Sequence, residues 1–480
     1  MLEKDTQEII DSDIAAEKHV KEEVKKNKLI VYVVALVAAL SGLLFGLDIG
    51  VISGVLPWLD KYWGTTPETD EFIVSSMLAG AFAGSLISGY FSRKFGRKKA
   101  ILISAVIFGI GSILSACAPG PNTMITIRFF LGIAVGIASF TAPLYLSEMA
   151  PQRIRGALIS MYQLMITIGI VLAFLSDTFF SYGEHWRWML GILVVPSIIM
   201  FIGIMFLPES PRWLLLKSKR KKAQEVLRRL RNSELEVEAE IADIEKNLEE
   251  KQDGKKLFHN KNFRKALYLG VALQAMQQFT GMNVVMYYAP KIFKVVGFAS
   301  SSQQMWGTVL VGFINVLATF IAIAFVDKFG RKPILYIGFL VMGLAMSVLG
   351  FMFYFGVETG ASPALQYAAI GTLLIFITGF AMSAGPIIWV ICSEIYPLAG
   401  RDLGVTVSTA TNWLCNAIVG ATFLTMLNSL GHDVTFWIYG GVNLSVIIIL
   451  YKFVPETKGI SLEKIERNLL SGKRLKNIGQ

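Results

Sequence analysis

The sequence predicts an all-α polytopic membrane protein: twelve transmembrane helices in two six-helix bundles, joined by a cytoplasmic helical linker. Three observations carry that prediction. Composition is the first: 54% of the 480 residues are hydrophobic and 17% charged, and mean hydropathy is +0.56, which excludes a soluble globule. The second is twelve apolar stretches, each long enough for the ~20 residues that cross a bilayer. The third is charge placement. Of the 45 Lys and Arg, forty lie in the two tails and alternate loops, four in the other loops, and one, Arg128, inside a span. That asymmetry places both termini in the cytoplasm. It also assigns the net charge of +10 to topology, not to nucleic-acid binding.

The stretches are 29–59, 72–92, 100–118, 122–146, 155–178, 187–207, 266–290, 304–326, 333–356, 366–392, 403–428 and 434–454. Residues 1–28 before them read as a retained cytoplasmic tail, since no small-residue cleavage site follows the apolar run. The first stretch holds one charge, Asp48, and glycines at 42, 46, 50 and 54. On a helix that spacing makes a bare ridge for a neighbouring backbone and puts Asp48 on roughly the opposite side. A carboxylate there must be covered by protein or water, and is a functional candidate. The second stretch runs into RKFGRKK (93–99), and the fourth carries Arg128 and ends in LSEMAPQRIRG (146–156). After the sixth comes the only long polar insert, 208–265, rich in Glu, Lys, Arg and Leu, which reads as short solvated helices in a linker. The predicted domains are the tail 1–28, a first bundle 29–207, the linker 208–265, a second bundle 266–454 and a tail 455–480.

The second six stretches repeat the first. RKFGRKK returns as DKFGRKP (327–333), LSEMAPQRIRG as CSEIYPLAGRDLG (392–404), and PESPR (208–212) as PETKG (455–459). Repeats in the same order describe halves related by an axis along the membrane normal, the architecture of an alternating-access transporter. The repeated charges suit a cytoplasmic latch. Lys94, Arg97 and Lys98 sit at span ends beside Glu148 and Glu209, and Arg155, Arg331, Glu394 and Arg401 can act likewise. Salt bridges there would hold the inner ends of the bundles together while the outside is open. Positive-inside charge alone is the plainer alternative.

Depth along the helices brings two charges together. Asp48 lies 19 residues above Leu29, and Arg128, on a descending span, 20 above Glu148. At ~1.5 Å per residue their heads share a level and should neutralise each other. If their distance changes in a cycle, Asp48 takes up and releases a proton; a static pair that specifies packing is the alternative. Neutral polar groups gather near the midplane: Gln163, Gln277, Gln278, Asn283, Asn315 and Asn412, with the indoles of Trp389 and Trp413. Amides donate and accept, and suit sugar hydroxyls, while each indole adds an apolar wall and one donor. A lone amide is often interhelical glue, but this set, without a charge, points to a neutral, hydroxyl-rich ligand. QQFTGMNVVMYYAP (277–290) also holds a glycine and a proline, as a broken helix lining a cavity would.

FGLDIGVISG, RFFLGIAVG, PLYLSEMAPQRIRG, PESPRW, QQFTGMNVVMYYAP, DKFGRKP and PETKG together resemble the sugar porter family of the major facilitator superfamily. The resemblance covers essentially the whole chain and is nearest to the bacterial galactose–proton symporters, then to the arabinose–proton symporters. It implies that Asp48 and Arg128 are the proton-coupling pair. It implies sugar contacts at Gln163, Gln277, Gln278, Asn283, Asn315, Trp389 and Trp413, and an outer gate at Tyr287 and Tyr288. Facilitative relatives lack an acid at the position of Asp48, so symport is implied. Asn315 resembles the hexose carriers and leans toward galactose or glucose over arabinose or xylose. Ser92 stands where the superfamily motif often has an acid, and the first latch is expected to be the weaker. The reading is a hexose–proton symporter of the bacterial inner membrane, multi-pass, taking a monosaccharide and a proton and working as a monomer in the bilayer. A uniporter or a sensor without proton coupling is the alternative. No cofactor, metal or enzymatic activity is expected. Cys117, Cys392 and Cys415 lack metal or disulfide spacing, the four histidines lie outside the spans, and no Walker A, HExxH or GxSxG pattern occurs.

Overall fold

The computed structural model describes the backbone of residues 2–151, 154–231, 233–249, 260–356, 363–397, 400–460 and 462–479. Side chains are described for these residues except 2–29, 155–157, 159–160, 247–249, 323, 326–327, 402 and 462–463. Among the described residues all regular structure is helical. The first half comprises α1 (Leu2–Trp63), α2 (Pro67–Phe95), α3 (Arg97–Ala116), α4 (Pro121–Met149) and α5 (Arg155–Ser181), with a sixth span made of α6 (Trp186–Gly191) and α7 (Val194–Phe206). The linker forms α8 (Pro211–Leu216), α9 (Arg220–Leu230) and α10 (Glu234–Glu249). In the second half α11 (Lys261–Phe279) and α12 (Met282–Val295) share the seventh span, followed by α13 (Ser301–Phe329) and α14 (Arg331–Tyr354). Then come α15 (Pro363–Met382) with α16 (Ala384–Ile395), α17 (Arg401–Gly420) with α18 (Phe423–Leu430), α19 (His432–Phe453) and α20 (Leu462–Leu470).

Eleven of these runs are long and apolar enough to cross a membrane. The twelfth span is the seventh, broken at Thr280–Gly281 between pieces of 19 and 14 residues. Gly281 takes φ +88, a left-handed backbone that glycine adopts without a Cβ penalty. The expected broken helix is therefore present.

In lipid, apolar side chains gain little from leaving their surroundings, so helices associate through close packing and small residues. The glycine ridge of α1 does this against α5. A Cβ built on Gly42 would lie 2.6 Å from the Tyr162 carbonyl oxygen, and one on Gly46 only 1.9 Å from that of Ile166. Gly50 meets Ala173, and Gly54 meets Asp177. A matching seam joins α2 to α4, where Gly80 and Gly84 lie on Gly132 and Gly136. Large apolar side chains such as Phe179 and Phe206 point outward instead, as a lipid-facing surface requires.

One face carries the linker. There α8 to α10 bury a small core of their own, with Leu214, Leu227, Val237 and Ile241. Arg231 docks it by donating to the Met149 carbonyl at 3.0 Å and pairing with Glu240 at 2.6 Å.

Candidate functional site

Asp48 faces α4, away from the glycine ridge. Arg128 Nη2 donates to Asp48 Oδ2 at 3.2 Å, while its Nε donates to the Ile73 carbonyl of α2 at 2.9 Å. The two residues are 3% and 2% exposed. The guanidinium thus bridges a fixed acceptor and an ionisable one. Protonation of Asp48 would remove the charge that ties α1 to α4 and leave Arg128 seated on α2. Three residues before Asp48, on the same helical side, Phe45 meets Trp413 of α17 edge to face, centroids 5.2 Å apart. That contact joins the two halves beside the charge pair.

The amides sit on the broken helix and on α17. Gln277 Nε2 donates to the carbonyls of Ala384 and Gly385 at 2.7 and 3.0 Å. Those carbonyls open α16, just past a second helix break at Ser383 (φ −129, ψ −87). Asn412 Nδ2 donates to Gln277 Oε1 at 2.7 Å and to Gln274 Oε1 at 2.6 Å. Gln278 donates to Gln277 Oε1 at 3.5 Å and accepts from Asn283 at 2.6 Å. The structure therefore brings Gln277, Gln278, Asn283 and Asn412 into one network. Gln163 and Asn315 make no side-chain hydrogen bond to the described residues; Asn315 is buried and Gln163 half-buried. Trp413 is buried and Trp389, on α16, 36% exposed. Gln274 also belongs to the network, and its spacing three residues before Gln277 on the same helix face is the sequence signal for it. The same holds for Asn416, one turn beyond Asn412.

Tyr287 and Tyr288, expected at the outer gate, lie at a kink in α12, where Tyr288 has φ −118 and ψ 16. Asn416 donates to Tyr287 Oη at 3.1 Å, and Tyr288 Oη donates to the Gly420 carbonyl at 2.8 Å. Past this kink, on the face opposite the linker, the two halves are tied directly. Lys291 of α12 pairs with Asp70 of α2 and, at 3.0 Å, with Asp60 of α1. Glu71 accepts from the Thr425 amide and hydroxyl at 2.7 and 2.6 Å. Trp306 Nε1 donates to Tyr182 Oη at 3.1 Å. This far face is closed.

The charges of the linker face pair within each half. Arg97 donates from Nε and Nη2 to the two oxygens of Glu148, both at 2.8 Å, in a bidentate fork. Glu209 accepts the amides of Arg97 and Lys98 at 3.0 and 3.1 Å, capping α3. In the second half Arg331 Nη2 meets Glu394 at 3.3 Å. Glu456, the repeat of Glu209, accepts the amides of Arg331 and Lys332 at 3.1 and 2.9 Å. Gly96 (φ +97) and Gly330 (φ +89) make both turns possible; a Cβ on either would strike the capping carboxylate. Burial pushes the Glu209 carboxyl up from its ordinary range, against those amides. At Glu456 burial acts the same way, but the amides of Lys332, Lys458, Arg331 and Thr457 prevail and hold it down.

The described latch pairs lie within each bundle's own end; a tie between bundles is expected only with the outside open, and here the far face is closed. Two expectations change here. Despite Ser92, the first copy is the shorter and more buried of the two. Lys94 lies over the rings of Tyr90 and Phe95, at 5.5 and 5.4 Å, instead of beside Glu148 or Glu209. Arg401 donates to the Tyr396 carbonyl at 3.4 Å. Arg155 opens α5, and its side chain, like that of Asp327, lies outside the described residues.

A family model for "Sugar (and other) transporter" matches residues 34–469. The galactose-proton symporter of Escherichia coli K12 is 57% identical over 460 residues, 96% of this chain and 98% of its own. The arabinose-proton symporter of the same strain is 52% identical over 430 residues, 89% of this chain and 91% of its own. Among solved structures, the partially occluded inward-open xylose transporter of E. coli superposes with a TM-score of 0.79 at 32% identity, covering 90% of this chain and 99% of that one. The proton:xylose symporter bound to 6-bromo-6-deoxy-D-glucose gives 0.78 at 33% identity, covering 92% and 99%.

Proposed function

The chain belongs to the sugar transporter family, and from that premise we propose that it imports a hexose of the galactose or glucose type together with a proton, by alternating access. The linker face and both termini are cytoplasmic in this reading, the membrane is the bacterial inner membrane, and one chain suffices because proton and sugar residues lie in it together. The observation that carries the reading is the buried Asp48–Arg128 pair, one helical turn from the Phe45–Trp413 contact that spans the halves.

With the outside open, a proton from the medium adds to the Asp48 carboxylate, and Arg128 keeps its bond to the Ile73 carbonyl. Sugar hydroxyls exchange with the amide–amide bonds of the Gln277–Gln278–Asn283–Asn412 network. Closing the halves brings Phe45 onto Trp413 and Lys291 onto Asp60 and Asp70. Once sugar leaves to the inside, Asp48 gives up its proton and pairs again with Arg128. The closed far face and the formed Asp48–Arg128 pair support reading the structure as that last arrangement. Asn315, buried with its amide free among the described residues, supports a hexose with one more hydroxyl to satisfy.

Sugar-induced alkalinisation of the medium around proteoliposomes tests proton coupling, and its absence would leave a uniporter. A counterflow panel of galactose, glucose, xylose and arabinose ranks the substrates. Gln278→Ala removes one donor and one acceptor and should weaken sugar affinity roughly tenfold, with the pH dependence of uptake unmoved. An unchanged binding isotherm would take Gln278 out of the site. Lys291→Met strips the far-face tie and leaves Asp70 buried without its cation. The balance between outside-closed and outside-open forms should move roughly tenfold toward open, read by spin-label distances between the outer ends of α2 and α12. An unaltered distance distribution would show that this tie does not hold the gate.

A further inference from the structure

A second buried carboxyl lies on the other side of α1, in the glycine seam with α5. Asp177 of α5 is 1% exposed, and neither of its oxygens has a hydrogen-bond partner among the described residues. It fills the space left by the missing side chain of Gly54, where a Cβ would come within 2.2 Å of Oδ2. The Gly54 backbone amide approaches it without reaching hydrogen-bond geometry. Gly54 lies six residues beyond Asp48 on α1, roughly 9 Å nearer the outside by helix rise. Asp177 itself is four residues, about 6 Å, from the outer end of α5.

Among the described residues no cation is placed to balance it. On α4, Arg128 is engaged by Asp48 and Ile73. On α1, Lys61 is bound to Glu184, and Asp60 lies near Lys291. On α6, Arg187 lies over Trp186, 4.1 Å from the ring centroid. On α13 the ionisable positions, Asp327 and Lys328, are at the opposite end. One turn past Gly54 along the glycine stripe, the Trp58 indole N–H is buried without an acceptor, and so is the hydroxyl of Ser53. Pro57, four residues after Ser53, also deprives the Ser53 carbonyl of its helical donor. A charged carboxylate in such surroundings is costly, whereas a protonated one is neutral and adds an O–H donor.

We propose that Asp177 is a second proton-carrying site, a way-station that takes a proton from the outside and supplies it to Asp48. The inference rests on Asp48 being the coupling acid. In the transfer, the Asp177 O–H bond breaks as a proton enters a short file of water. An O–H bond forms at Asp48, and the Asp177 carboxylate then reloads from external water. Nothing is oxidised or reduced.

Asp177→Asn keeps the shape and removes the titration. In proteoliposomes, sugar counterflow, which needs no net proton movement, should stay at the wild-type rate. Proton-driven uptake at alkaline outside pH should fall roughly tenfold or more, shifting the pH profile of uptake toward acid, and Asp177→Glu should restore it. Infrared difference spectra should show a protonated-carboxyl band at neutral pH that Asp177→Asn abolishes and Asp48→Asn retains. A pH profile identical to wild type in Asp177→Asn overturns the way-station. If that variant does not fold, wild-type protein lacking any protonated-carboxyl band at neutral pH overturns it equally. Failure of the Asp48 reading would be seen separately, as accumulation that persists in Asp48→Asn.

Discussion

Asp48→Asn should abolish uphill sugar accumulation while counterflow continues. Asparagine is close in size and permanently neutral, so it imitates the protonated acid and cannot return to the ionised one. Arg128 then keeps its bond to the Ile73 carbonyl and loses its partner on α1. The halves can still exchange labelled for unlabelled sugar, because that cycle never requires deprotonation. A potential of 100 mV supplies about 2.3 kcal/mol per proton, roughly a fiftyfold gradient for each proton moved with a sugar. The variant should settle near a ratio of about one, a loss of the whole coupled term. Steady-state accumulation of labelled galactose in energised vesicles measures it. Accumulation at the wild-type level would remove Asp48 from the coupling step.

Gly46→Ala should be strongly destabilising, at one of the tightest backbone approaches in the protein's first half. The added carbon would sit 1.9 Å from the Ile166 carbonyl oxygen and 2.8 Å from its carbonyl carbon. Both are backbone atoms, so no rotamer can relieve the overlap. Moving α1 off α5 would also open the contacts at Gly42, Gly50 and Gly54. Overpacking of a rigid seam costs about 3 kcal/mol, in the upper part of the usual range. The drop in melting temperature of detergent-solubilised protein should be several degrees or more. Gly89→Ala on α2 is the control: nothing lies within 4 Å of its Cβ position, and alanine is the better helix former. Equal melting of the two variants would mean that the seam yields more easily than its geometry implies.

The parts of this molecule legible in its sequence are those set by composition and helical period. Twelve apolar runs, a glycine every fourth residue and two opposite charges at equal depth each follow from counting, and the α1–α5 seam and the Asp48–Arg128 contact match them. Partner choice was harder to read. Arg97 could reach Glu148 or a carboxylate of the other half by any count of depth, and only the turn at Gly96 aims it within its own bundle. Lys291 counted toward topology, since nothing local announces that the kink at Tyr288 swings it onto Asp60 and Asp70. Asp177 is hard to read from sequence for a different reason. A hydropathy window ends near it and makes it resemble an interfacial residue, whereas α5 continues to Ser181 and α1 covers it.

Gln277 fastens the start of α16 to the helix that ends at the Thr280–Gly281 break, and the same carboxamide accepts from Asn412. In the proposed reading, a single side chain would therefore serve both recognition and articulation. Altering it to admit a different sugar would retune the joint as well, so turnover would change along with selectivity. Asn283 bridges that break to Gln278, so in the proposed reading Asn315, which holds no such splice among the described residues, is the position where substrate range would drift without disturbing the moving parts.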